Sequence, residues 1–121
     1  MKRLIAAGII LVLIITLSVT GITIINRCSK EVQKRITEIH DDPVTNKNYA
    51  KEFVSFWESK REILAIFVNH EEIDDIGRVA ARMASAEKTN NINDMLEAAD
   101  EIVFIIKGIK EDEHLSWFTV L

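Results

Sequence analysis

The chain shows two kinds of apolar pattern: one unbroken run near its start, then stripes that return every three or four residues. The run, residues 4–25, opens on Leu4, closes on Ile25 and carries no charged side chain. It holds eight Ile, four Leu and two Val, diluted by small and hydroxylated residues such as Ala6, Gly8, Thr16, Ser18, Thr20, Gly21 and Thr23. A soluble core helix has a polar face at the helical period, and this segment has none. At ~1.5 Å rise per residue it reaches roughly 33 Å, close to the ~30 Å of bilayer hydrocarbon. Fourteen branched aliphatics favour insertion by about 0.3 to 0.6 kcal/mol each, roughly 4 to 8 kcal/mol together. The expectation is a membrane-spanning helix.

Past the run, Val32, Ile36 and Ile39 follow an i, i+4, i+7 spacing, so the membrane helix is expected to continue as an amphipathic stalk to about His40. Asp42-Pro43 is a turn signal that ends it, and Thr45 or Asn46 can cap the next helix. Tyr49, Phe53, Phe56, Trp57, Leu64, Phe67 and Val68 then form one wide stripe, which breaks around Asn69 and His70. Ile73, Ile76, Val79, Ala80 and Met83 make a third stripe, ending near Lys88 before the cap-rich Thr89-Asn90-Asn91. A fourth begins at about Asn91, with Met95, Leu96, Ala99, Ile102, Val103, Ile106 and Ile109.

One stretch contests the last helix. Residues 102–106 (Ile-Val-Phe-Ile-Ile) read in isolation as a buried strand. The flanking helix formers of residues 93–100, and the lack of a second strong strand, favour a helix covered on more than one side, with the bundle core preferred over a partner as the cover. Glu111, Asp112 and Glu113 would oppose the macrodipole at its end, so fraying is expected there. The fold class is therefore all-α: a transmembrane helix continuing into a stalk, then an up-down bundle of three further helices. Residues 1–27 form the anchor and residues 28–121 the helical domain.

Charge adds direction. The 121 residues carry 15 Lys+Arg against 19 Asp+Glu, a net −4 that argues against a nucleic-acid partner. Residues 26–61 hold eight basic and six acidic side chains, whereas residues 62–121 hold five and thirteen. The membrane-proximal part can thus lie near anionic headgroups that repel the distal part. Lys2 and Arg3 precede the run; Arg27, Lys30, Lys34 and Arg35 follow it, so positive-inside counting nearly balances. A short basic leader before an apolar run is how an exported domain begins, which favours an extracytoplasmic domain. A cleaved signal is the competing reading, with Ser18-Val19-Thr20 as the small-x-small site. Ile22, Ile24 and Ile25 prolong the run beyond that site and favour an uncleaved anchor.

Candidate chemistry is sparse. Within residues 70–75 (His-Glu-Glu-Ile-Asp-Asp), His70 and Asp74 lie one helical turn apart and form the candidate metal pair. Asp74 stands where a zincin would place its second histidine, and the preferred reading is helix-start electrostatics. Trp57, Phe53, Phe56 and Phe67 read as bundle core rather than as a ligand pocket. Cys28 has no nearby histidine and reads as inert; otherwise it could cross-link a homo-oligomer or carry a palmitoyl chain. No phosphate loop, nucleophile triad or dinucleotide fingerprint appears, so neither an enzyme nor a cofactor is expected.

Trp57, followed by residues 67–74 (Phe-Val-Asn-His-Glu-Glu-Ile-Asp), resembles a family of short bacterial proteins known only as a domain of unknown function. The resemblance covers the whole length: a basic start, one membrane helix, then an acidic helical domain. It implies a bacterial membrane-anchored protein and supplies no catalytic or binding residue. The function expected is an interaction module docking on another membrane or envelope protein. The alternative is an extracytoplasmic sensor of a small molecule or metal ion.

Overall fold

The computed structural model describes residues 1–43 and 48–120, with side chains through Glu111. Four helices follow in order: α1 (Lys2–Asp41), α2 (Tyr49–Leu64), α3 (His70–Lys88) and α4 (Ile92–Val120). Each packs against the next, and α4 closes back on α1. The all-α expectation holds, with one refinement. The stretch expected as a stalk is itself a wall of the bundle, because Ile25, Cys28, Val32, Ile36 and Ile39 are buried along one seam of α1. Their spacing of three, four, four and three residues keeps that seam facing its neighbours over about four turns.

Packing begins inside the apolar run. Gly21 is buried beneath Phe67, and a Cβ built there would stand 2.7 Å from Phe67 Cδ1. Before it the large side chains from Leu4 to Val19 are about half to three-quarters exposed. One continuous helix is therefore bare over its first five turns and core-forming over the rest.

The other stripes pack as their periods require. Phe53, Trp57 and Leu64 of α2 meet Ile73, Ile76, Ala80 and Met83 of α3, and Met95, Ala98, Ala99, Ile102, Ile106 and Ile109 of α4 complete the core. Trp57 Nε1 donates to the Ile73 carbonyl at 3.3 Å, which satisfies the one polar atom of the largest buried side chain. The α2 stripe outlasts its helix: α2 stops at Leu64, and Val68 donates its backbone N–H to the Leu64 carbonyl at 2.8 Å in the following turn.

Asn69 caps α3 by accepting from the Glu71 N–H at 3.0 Å. At the other end Asn90 takes φ 58°, its N–H reaches the Glu87 carbonyl and that of Asn91 reaches Ala86. This is the crossed pair of a Schellman ending, with Asn at the left-handed position. Asn91 Oδ1 then accepts from Asp94 N–H and opens α4.

Two expectations change. Residues 102–106 are helical, yet α4 is not covered all round, since Phe104 is 79% exposed. Nor does α4 end at residues 111–113. Its backbone is helical to Val120, and no Gly or Pro follows Gly108 to stop it. The three carboxylates are therefore interior, where the macrodipole weighs little. The caps expected at Thr45 or Asn46 lie outside the described residues; Asn48 stands at the N-cap position of α2.

Candidate functional site

The N-terminus of α2 has an unusual solution. Asn48 makes no side-chain cap bond, and the free N–H groups are taken by Glu87 from α3. Its carboxylate accepts from Ala50 N–H at 3.0 Å and more weakly from Lys51 N–H at 3.4 Å. Glu87 is 5% exposed, a carboxylate drawn into the bundle to meet a helix's positive end. Nothing local in the sequence marks it, because its partners lie 36 and 37 residues away.

The acidic run that opens α3 is spread over the surface. His70 and Asp74 are exposed, and Asp74 Oδ1 lies 3.2 Å from Arg61 Nη2 of α2. Asp75 Oδ1 pairs with Arg78 at 2.6 Å, while Glu71 and Glu72 occupy the first turn. The carboxylates thus serve the helix start and two surface ion pairs. Among the described residues no group of three or more His, Cys, Asp or Glu gathers in a way that could hold a metal. His40 is drawn elsewhere, with Nε2 at 2.8 Å from Asp100 of α4.

Cys28 is buried, and burial pushes its thiol up to about 11, opposed in part by the positive field of Lys60. A thiol so held carries almost no thiolate at neutral pH. Folding favours its protonated form, so this contribution to stability is complete below pH 9 and fades as pH climbs towards 11. Neither cross-linking nor acylation suits a sulfur in this position.

Beside Cys28, α1 and α2 leave a groove of about 510 Å³. Its end nearer the bare run is apolar, with Ile24 of α1 and Ile63 and Leu64 of α2. One turn further from the bare run stand Arg27 and Lys60, and beyond them Glu31, Arg35 and Phe56. Arg35 is committed: its guanidinium lies 4.5 Å over the Phe56 ring, and Nε approaches Glu31 Oε1 at 3.2 Å without hydrogen-bond alignment. Arg27 and Lys60 have no ion pair among the described residues, and both are exposed. Residue types alone give no sign of this groove, because it exists only where the two helices come together.

The apolar run itself meets the length and composition required to cross a membrane, as a signal sequence at this position also would. No curated protein and no solved structure matches the chain. A family model for a domain of unknown function does match, over residues 19–119, so it takes in the end of the apolar run, the core-forming part of α1, α2, α3 and nearly all of α4. On that match the chain belongs to the DUF4363 family.

Proposed function

We propose that the protein is a non-enzymatic, single-pass membrane tether whose helical domain docks, on the outer side, onto another membrane or envelope protein. The observation that carries this reading is the continuity of α1. The same unbroken helix is bare from Leu4 to Val19 and core-forming from Gly21 onwards. So exposed an apolar surface needs a cover, and lipid can supply it: the bare stretch reaches about 24 Å and the whole run about 33 Å, against ~30 Å of bilayer hydrocarbon. Retention is supported by the same continuity. Signal peptidases act on extended backbone, and Ser18-Val19-Thr20 lies within a helix that continues unbroken through Gly21.

Docking on a protein draws support from α4. Phe104 stands outward from a helix whose opposite face is core, next to Gly108, where a Cβ would meet nothing within 4 Å. An aromatic beside an open notch is the kind of anchor that protein interfaces favour. The sensor alternative draws no such support, since His70 and Asp74 are exposed and Asp74 is held by Arg61.

A photo-cross-linking residue in place of Lys107, one turn from Phe104, tests the docking in native membranes. We expect one discrete heavier adduct, lost when Phe104→Ser is added while the bundle keeps its melting temperature. Recovery of unattached monomer alone, or an adduct indifferent to Phe104→Ser, contradicts the reading.

A further inference from the structure

We infer that the groove between α1 and α2 holds one anionic phospholipid, its phosphate between Arg27 and Lys60 and the start of its acyl chain along Ile24 and Ile63. The inference rests on the membrane reading of α1 and adds a ligand to it. Three observations converge. Arg27 follows the apolar run by two residues, about 3 Å of helix, which places it in the headgroup layer flanking the hydrocarbon. The bundle reaches past that depth, because Phe67 packs on Gly21, about 9 Å of helix nearer the bilayer centre than Arg27, and the adjoining Ile66 is 72% exposed. That loop therefore presents apolar surface towards lipid, as an interfacial segment does.

Charge supplies the second argument. Glu31, the groove's carboxylate, pairs with Arg35, which leaves Arg27 and Lys60 as two cations lining one cleft with no ion pair of their own among the described residues. The order along the groove supplies the third: apolar first, cationic second, matching the order of acyl chain and phosphate in a lipid entering from the bilayer. The volume falls within the ~300–1,000 Å³ usual for ligand sites. A free inorganic phosphate would leave the Ile24–Ile63 end empty, and a protein partner would have no need of this polarity gradient.

The full chain reconstituted in nanodiscs tests this. One set contains phosphatidylcholine alone; the other contains phosphatidylcholine with about one-fifth phosphatidylglycerol, enough to populate a site of moderate affinity. Native mass spectrometry then reads the lipid retained per chain. We expect one phosphatidylglycerol in preference to phosphatidylcholine, with that preference reduced roughly tenfold or more in Arg27→Gln/Lys60→Gln. Arg27→Lys/Lys60→Arg should restore it, and Lys88→Gln/Lys107→Gln should leave it untouched. Equal retention of the two lipids, an unaffected Gln double variant, or displacement by millimolar inorganic phosphate would overturn the inference. A chain that enters neither kind of nanodisc overturns the membrane reading beneath it, a separate and distinguishable failure.

Discussion

Among single residues, Glu87 is the one whose placement is least typical of its type. A carboxylate at 5% exposure is costly unless hydrogen-bonded, and here two backbone N–H groups of α2 face it. Replacing it by Ala removes those acceptors and leaves one buried and one part-buried donor at the positive end of a helix. Glu87→Ala should lower bundle stability by about 2 kcal/mol, read from thermal unfolding in detergent micelles. Glu87→Gln, which keeps one carbonyl oxygen, should lose about half as much. A Glu87→Ala melt matching the wild type would show that Asn48 or solvent can cap α2 unaided. The sequence could not reveal this residue. Its spacing within α3 puts it beside Ala86 on the buried face, where an acid looks like a stray surface charge, and its partners belong to a helix 36 residues earlier. The cap-rich Thr89-Asn90-Asn91 was legible because its partners are local, as where Asn91 bonds Asp94, whereas Asn69, which bonds Glu71, showed only as a break in the stripe.

At the level of the helices, two glycines separate space from conformation. Both are helical, where Ala is favoured over Gly by about 0.5–1 kcal/mol. At Gly77 a Cβ would sit 3.7 Å from Trp57 Nε1, an ordinary contact. Gly77→Ala should therefore stabilise the bundle by about 0.5 kcal/mol or slightly more. At Gly21 the same atom would meet the Phe67 ring at 2.7 Å. Gly21→Val should cost about 1–2 kcal/mol by forcing that ring off α1. Parallel melts distinguish the two, and a gain from Gly21→Val would mean that Phe67 does not pack on α1 in the membrane. Helix positions were legible from periodicity, including the choice of helix over strand for residues 102–106, since Ile102, Ile106 and Ile109 recur at helical steps. Less legible was where helices stop. The stripe of α2 runs on into a turn through Val68, and the acid triplet near residue 112 resembled an ending because the continuation to Val120 carries no helix-breaking residue to judge by.

For the whole molecule, the connection between the bare apolar run and the bundle is the governing feature. A flexible linker would let the domain drift from the bilayer, but α1 passes from bare to buried without a break. On the proposed membrane reading, that continuity holds the base of the bundle at the bilayer surface, with the α1/α2 groove opening near it. The sequence made the span and the helices visible, because length, lack of charge and period are one-dimensional properties. It hid the groove, which is a product of two helices pairing, and it hid that the apolar run ends inside the core rather than before it. The most direct measurement is the intact mass of the chain recovered from alkaline-washed membranes. The account predicts a membrane-retained species that still contains residues 2–20. A product beginning at Gly21, or full-length chain released into the soluble fraction, would contradict it.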